Sequence, residues 1–154
     1  MSNQVGRLHV LIGLPGSGKS TFLRERFQVS HPEVAIFDDY QAHAIADQSD
    51  PQWSRNRPSA IETLRGGTPV LVSDISYCRA SAIDRLVSLM RQDVPGVEID
   101  LIYFANDPEA AAHNVRLRGR DQCEREIQLI REFSADYRPP ASAMPGSAQS
   151  LEHR

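Results

Sequence analysis

The sequence predicts an α/β domain in three layers, with helices on both faces of a short parallel sheet. Four short apolar runs lack the alternation of a half-exposed strand, which is typical of strands covered on both sides. Helical patterns separate the runs and favour parallel pairing through right-handed crossovers. At 154 residues, the chain is long enough for one domain with a sizeable core.

The predicted strands and helices alternate along the chain. Strands are expected at residues 7–13, 34–37, 69–74 and 98–105. Helices are expected at residues 19–28, 79–92, 107–118 and 123–137. Residues 39–66 are expected to be helical in two pieces, because the polar segment 47–58 interrupts the pattern. The domain is predicted to span residues 1–138, and the Pro-, Ala- and Ser-rich residues 139–154 are expected to form a loosely held tail.

Composition limits the classes of function. The net charge of −3 argues against general, non-specific binding of nucleic acid. The N-terminal apolar run is too short to span a bilayer or to act as a signal sequence, so no membrane partner is expected. Cys78 and Cys123 lack metal-ligand or disulfide-framework spacing, which indicates reduced thiols in a cytoplasmic protein.

The glycine-rich loop holds the only lysine of the chain, since sixteen of the seventeen Lys and Arg residues are arginine. Its pattern, Gly13-x-x-x-x-Gly18-Lys19-Ser20, is the P-loop pattern, and it lies between a predicted strand and a predicted helix. Glycines let backbone N–H groups close around a phosphate, and the helix adds its positive end. Lys19 supplies a mobile ammonium for the β- and γ-phosphates, whereas arginine is too long and too planar for this bend. The predicted nucleotide-binding residues are Gly13, Leu14, Pro15, Gly16, Ser17, Gly18, Lys19, Ser20 and Thr21.

Absent motifs narrow the class of nucleotide-binding protein. The single lysine leaves none for an Asn-Lys-x-Asp guanine-specificity element, so a conventional GTPase is not expected. The chain holds no Leu-Ser-Gly-Gly-Gln segment, and it is too short for an AAA+ motor with a helical lid domain. A small P-loop kinase with sheet order 2-3-1-4 remains. It is expected to use ATP and Mg²⁺, with Ser20 as a ligand of the metal.

Acidic residues end two of the predicted strands, in "FDDY" at 37–40 and in "LVSD" at 71–74. Active sites of open parallel sheets lie at the carboxyl ends of the strands, so both clusters are expected to face the phosphate loop. Transfer of a phosphoryl group to an alcohol needs one carboxylate near the acceptor hydroxyl and another that holds hydrated Mg²⁺. Both clusters also fit a purely structural role, as helix N-caps or a solvated turn.

The segments "GLPGSGKST", "FDDYQ" and "VLVSDISYCRAS" resemble the kinase module of 5′-polynucleotide kinases and the related small P-loop kinases, the zeta-toxin-related AAA_33 type. The resemblance covers residues 8–137, nearly the whole predicted domain. It implies that Asp38 is the general base and that Asp39, with Tyr40, lies at the acceptor. It also implies that Asp74 stabilises the water shell of the metal. The family has arginines on both sides of the Asp-Asp-Tyr element, but this chain has none there, which argues against a nucleic-acid acceptor.

The segment 113–120 is rich in arginine. Arg116 and Arg120 lie four residues apart and are expected to share a helix face, with Arg118 between them and Gly119 as a hinge. In the related kinases this stretch is a lid whose arginines neutralise charge in the transition state, so Arg116 and Arg120 are the predicted catalytic pair. A solvated basic helix end is the alternative.

The acceptor site is expected to involve residues 52–57 and Arg79. Trp53 can stack on a substrate ring or anchor packing, and Arg55 or Arg57 can hold an anionic group. The expected function is transfer of the γ-phosphate of ATP to a hydroxyl of a small molecule or nucleoside. A 5′-hydroxyl polynucleotide kinase is one alternative. An ATP-binding regulatory switch with slow hydrolysis is the other.

Overall fold

A four-stranded parallel sheet forms the centre of the molecule. The computed structural model describes residues 4–38, 51–119 and 123–144, with the backbone alone for residues 38 and 51–56. The strands are β1 (Leu8–Ile12), β2 (Ala35–Asp38), β3 (Val70–Ser73) and β4 (Ile99–Tyr103). They pair in parallel in the order β2-β3-β1-β4, which confirms the predicted fold class and strand order.

Helices connect the strands and lie on both faces of the sheet. A continuous helical stretch follows β1 and has a π-helical middle part, Leu23–Phe27, between α1 and α2. The α-helices are α1 (Lys19–Phe22), α2 (Gln28–Ser30), α3 (Pro51–Arg65), α4 (Ala80–Asp93), α5 (Pro108–Arg118) and α6 (Cys123–Asp136). None of the helices in the described ranges has the length and apolar character needed to cross a membrane.

Helix α3 contradicts one prediction. The polar segment 47–58 was expected to interrupt the helical pattern, but its residues 51–58 belong to a single helix that continues to Arg65. Tertiary packing explains the difference, since Ala60 and Leu64 are fully buried and hold the helix against the sheet. The rest of that segment, and residues 39–46, lie outside the described residues.

The two faces of the sheet are covered by different helices. Alternate residues of β1, Leu8, Val10 and Ile12, pack on one face with residues of α3, α4, α5 and α6. Leu11 points to the other face and packs with Leu23 and Phe27 of the first helical stretch. Both faces of β1 are therefore covered, as the uninterrupted apolar run predicts.

The chain beyond α6 returns to the sheet at Met144. The Met144 N–H donates to the carbonyl of Tyr103 at 2.9 Å, and the N–H of Ala105 donates to the carbonyl of Met144 at 2.7 Å. The Met144 side chain packs into the core on the α1 face. The prediction of a loosely held tail from residue 139 is therefore wrong for this part of the tail, and residues 145–154 lie outside the described residues.

A buried histidine lies between β1 and the first helical stretch. The ring of His9 contacts the rings of Phe27 and His31, with centroid distances of 4.9 and 5.4 Å. Its Nδ1 lies 3.2 Å from Oδ2 of Asp100 on the neighbouring strand β4. Burial lowers the pKa of His9 despite the opposing effect of the Asp100 carboxylate, and the charges of His31 and Arg7 lower it further.

We expect the free energy of unfolding to fall as the pH drops through and below 6.5. The unfolded chain then takes up a proton that His9 resists in the folded state, at a cost of at most about 1.4 kcal/mol per pH unit. The variant His9→Leu should flatten this decline, measured by urea unfolding between pH 7.5 and 5. His113→Leu changes an exposed histidine and serves as the control. An unchanged pH dependence in His9→Leu would contradict the prediction.

Candidate nucleotide-binding and active site

The P-loop occupies the turn between β1 and α1. Gly16 and Gly18 have φ values of 79° and 98°, in the left-handed region that favours glycine. Gly18 is also the N-cap of α1. No side-chain hydrogen bond caps this end of the helix, and the first turn of α1 contains no acidic residue. The positive end of the helix is therefore not compensated by a protein carboxylate within its own first turn. The predicted strand–loop–helix context is confirmed.

Position 13 requires a glycine because neighbouring atoms lie too close to it for a side chain. A Cβ atom at this position would lie 2.7 Å from Oγ of Ser17, 3.0 Å from Cβ of Phe104 and 3.3 Å from Cδ of Lys19. Oγ of Ser17 is buried and has no hydrogen-bond partner among the described residues. The missing side chain lets the loop close tightly over the end of β1.

Lys19 folds back over the loop that precedes it. Its Nζ donates to the carbonyls of Gly13 at 2.7 Å and Leu14 at 3.0 Å. The ammonium thus lies beside the backbone at the start of the P-loop, and Ser20, the next residue of α1, is exposed. A flexible ammonium beside backbone N–H groups and a helix N-terminus suits a di- or triphosphate, and the Ser20 hydroxyl suits Mg²⁺.

The acidic ends of β2 and β3 meet at the same edge of the sheet. Asp38 is the last residue of β2 and pairs in register with Ser73, the last residue of β3. Asp74 follows directly and is buried. The parallel sheet therefore brings the backbone of Asp38 and of Asp74 to the edge where the P-loop leaves β1.

Asp74 has the structural role that the sequence left open. Its Oδ2 accepts hydrogen bonds from the N–H of Ser76, at 3.0 Å, and from the Ser76 hydroxyl. Asp74 thereby caps a short 3₁₀-helix, Ile75–Cys78. The cap also fixes the direction of the carboxylate, so a contact with the water shell of a metal stays compatible with it. No cluster of three or more His, Cys, Asp or Glu in the described ranges is placed to hold a metal ion.

Cys78 lies beneath the P-loop, a position that sequence reasoning missed. Burial raises the pKa of its thiol to about 12, against the opposing effects of the Lys19 ammonium and of a hydrogen bond with the Gly13 backbone. Cys78 and Cys123 form no disulfide. The thiol is therefore a protonated packing group in the floor of the site.

The arginine-rich end of α5 differs from its prediction. Helix α5 ends at Arg118, and Gly119 takes a left-handed conformation as its C-cap, with φ of 62°. Arg116 is exposed on the helix, but the expectation that Arg120 shares a helix face with it is wrong because the helix stops first. Arg120 itself lies outside the described residues.

Two arginines from the predicted acceptor site have acidic partners within the chain. Nε of Arg79 lies 3.3 Å from Oδ2 of Asp136, and its guanidinium lies 4.3 Å from the centre of the Phe133 ring. Arg57 binds Asp93 at 2.6 Å. Both contacts join neighbouring helices, so these side chains have structural roles whatever else they bind.

The remaining predicted acceptor residues cannot be placed in the site. Asp39 and Tyr40 lie outside the described residues. Trp53 and Arg55 lie in α3, where the backbone alone is described.

Two polar residues that the sequence analysis did not single out support the P-loop. Asn114 of α5 is buried and donates from Nδ2 to the carbonyl of Gly16 at 2.8 Å. Tyr137, after α6, hydrogen-bonds from its hydroxyl to the carbonyls of Ile12, at 3.3 Å, and Phe104. The sequence contains a signal for Asn114, because it is a polar residue on the face of α5 that also carries the buried residues Ala111, Ala112 and Val115. Tyr137 offered no comparable signal.

This fold and loop define a P-loop nucleotide-binding domain of the kinase-like type. The chain belongs to the AAA_33 family, described as "AAA domain", whose model matches residues 8–140. Membership confirms the resemblance to P-loop kinases of this type.

A similar protein, "Uncharacterized protein R277" of Acanthamoeba polyphaga mimivirus, is 27% identical over 131 residues, which cover 85% of this chain and 86% of that protein. Two solved structures share the fold. "Crystal structure of APE1195" matches with a TM-score of 0.64 and 18% identity, over 97% of this chain and 90% of that one. "Structure of the Pnkp1/Rnl/Hen1 RNA repair complex" contains a chain that matches with a TM-score of 0.60 and 17% identity, over 89% of this chain and 48% of that one.

Proposed function

We propose that this protein is an ATP-dependent kinase that transfers the γ-phosphate of ATP to a hydroxyl group of a small molecule or nucleoside. One observation carries the proposal: the P-loop and the ends of β2 and β3, with Asp38 and Asp74, lie at one edge of the sheet. Phosphoryl transfer to an alcohol needs a phosphate cradle and a carboxylate for the acceptor proton close together. Membership in the AAA_33 family supports the same class of reaction.

The proposed roles follow from the chemistry of each group. The acceptor oxygen forms a bond to the γ-phosphorus while the bond from the γ-phosphorus to the β,γ-bridging oxygen breaks, which releases ADP. Asp38 takes up the proton of the acceptor hydroxyl, and Lys19 interacts with the β- and γ-phosphates. Arg116 is proposed to stabilise the charge of the transferring group, and the same role is proposed for Arg120.

Ser20 and Asp74 are the proposed Mg²⁺ residues. Ser20 is exposed at the start of α1, where a nucleotide phosphate and its metal are expected to lie. Asp74 is held in one orientation by its hydrogen bonds from Ser76, which suits a carboxylate that orders the metal's water molecules. When bound, the metal neutralises phosphate charge.

The charges in the candidate acceptor region favour a small acceptor over a polynucleotide. Two arginines of the predicted acceptor site, Arg57 and Arg79, are paired with Asp93 and Asp136. Their charges are partly compensated, and the whole chain carries a net charge of −3. The arginine that the related polynucleotide kinases use after the tyrosine is replaced by Gln41.

A 5′-hydroxyl polynucleotide kinase is the second candidate. The "FDDYQ" element resembles that family, and a chain of similar fold belongs to the Pnkp1/Rnl/Hen1 RNA repair complex. A basic path along exposed arginines, such as Arg116 and Arg118, is the feature that would serve such a substrate.

We expect the purified protein to transfer ³²P from γ-labelled ATP to a member of a pool of hydroxyl-bearing metabolites and nucleosides. A parallel pool of 5′-hydroxyl oligonucleotides tests the second candidate. Transfer to oligonucleotides alone, falling steeply as salt rises from 50 to 200 mM, would identify a polynucleotide kinase, because phosphate contacts release counterions. Binding of ATP with slow hydrolysis and no transfer to either pool would instead indicate a regulatory switch.

A further inference from the structure

Helix α5 forms the support on which the tip of the P-loop rests. A Cβ atom on Gly16 would lie 2.5 Å from the carbonyl oxygen of Ala111 and 2.9 Å from Cγ2 of Val115. These two residues and Asn114 lie three and four positions apart, so they share one face of the helix. The loop and α5 are thus in direct backbone contact, with Asn114 beside that contact.

Asn114 is a polar residue in an apolar setting. It is 4% exposed, and its Nδ2 donates to the carbonyl of Gly16 at 2.8 Å. Its Oδ1 is buried without a hydrogen-bond partner among the described residues. An amide oxygen buried in this way costs free energy that an apolar side chain of similar size would avoid. Helix α5 therefore keeps a hydrogen-bond donor at position 114 although the unpartnered oxygen lowers the stability of the fold.

A second buried polar atom without a partner in the described ranges belongs to the next residue of the loop. It is Oγ of Ser17, the residue after Gly16. In a trans peptide the carbonyl and the following N–H point in opposite directions. When Asn114 binds the Gly16 carbonyl on the α5 side, it also fixes the direction of the Ser17 N–H, which donates to the carbonyl of Leu14 at 3.1 Å.

We infer that Asn114 is a positioning residue for phosphate binding, because it holds the Gly16 carbonyl against α5 and out of the phosphate cradle. A carbonyl turned into the cradle would present negative partial charge to a phosphate, whereas a P-loop binds phosphate with N–H groups. The residue thus sets the orientation of one peptide group for every phosphate ligand, whatever the acceptor. It also joins the loop to the helix that carries Arg116, two residues further on. The inference rests on the nucleotide-binding part of the proposed function.

The variant Asn114→Leu tests the inference, since leucine keeps the volume and removes both polar atoms. We expect the Kd for Mg·ATP and the Kd for inorganic tripolyphosphate to rise about tenfold, by calorimetry, with little loss in Tm because the unpartnered oxygen is also removed. Hydrogen exchange at the Ser17 amide should become faster. Asn114→Ser provides a smaller replacement in case leucine does not fold, and the same loss of affinity is expected.

Thr63→Val is the control, because it also removes one side-chain hydrogen bond to a backbone carbonyl and keeps the size of the side chain. Thr63 lies in α3 and donates from Oγ1 to the carbonyl of Ser59, at 2.7 Å, within its own helix. The variant should leave both Kd values unchanged. Wild-type affinity for tripolyphosphate in folded Asn114 variants would overturn the inference alone. Failure of the wild-type protein to bind either ligand would overturn the proposed function together with the inference.

Discussion

The variant Lys19→Arg is expected to bind Mg·ATP poorly and to lose phosphoryl transfer by roughly 10²-fold or more, although it keeps the positive charge. The lysine stem packs beside Gly13, where a Cβ atom would lie 3.3 Å from Cδ of Lys19. The ammonium then reaches back to the carbonyls of Gly13 and Leu14. A guanidinium is longer and planar, so it cannot make this tight return within the same loop.

Arg91→Lys is the control for a substitution between arginine and lysine. Arg91 is exposed on α4, and this variant should keep wild-type affinity and turnover. Calorimetry with Mg·ATP and a steady-state kinase assay measure both quantities, and circular dichroism shows whether each variant folds. Normal binding and turnover in Lys19→Arg would mean that the chain requires a charge at this position and not a lysine.

The fold could be predicted because its signals are local. The uninterrupted apolar runs identified strands covered on both sides, and the strand–loop–helix order of the P-loop identified the first crossover. The start of α5 was equally clear, since Asp107 caps the helix by accepting from the N–H of Ala110 at 3.1 Å and Pro108 follows it. Both signals depend on residues close together in the sequence.

The errors concern contacts between distant segments. Polar residues 51–58 are helical because α3 is held by Ala60 and Leu64, and Met144 is held by backbone hydrogen bonds to β4. Neither contact has a periodic pattern that would indicate its partner. Tertiary packing overrides local preference in α3 and in the tail.

Only part of the site could be predicted, because only part of it lies in one continuous stretch of sequence. The P-loop residues form a continuous motif, so their positions followed from the sequence. Cys78, Asn114 and Tyr137 reach the loop from three other elements, and the fold alone brings them together. The motifs placed both acidic strand ends at one edge of the sheet, and the register of β2 with β3 adds that the backbone of Asp38 lies opposite Ser73, the residue before Asp74.

The variant Asp38→Asn is expected to lose most phosphoryl transfer, by about 10²- to 10⁴-fold in kcat, with the Kd for Mg·ATP nearly unchanged. The reason is chemical, since asparagine cannot take up the acceptor proton but has the same size. The loss should be smaller for an acceptor with a more acidic hydroxyl group, because less proton transfer to the base is then needed. Single-turnover assays separate this effect from product release.

The neighbouring Asp39 and the exposed Asp84 on α4 provide two comparisons. Asp84→Asn should behave as the wild type, because Asp84 lies near Tyr103 of β4, a strand that β3 and β1 separate from β2. Asp39→Asn should raise KM for the acceptor more than it lowers kcat, if Asp39 orients the acceptor while Asp38 carries the proton. A large fall in kcat for Asp39→Asn with normal turnover in Asp38→Asn would assign the base to Asp39. Normal turnover in both variants would remove the acidic end of β2 from the mechanism, and the proposed kinase would then need another base for its acceptor.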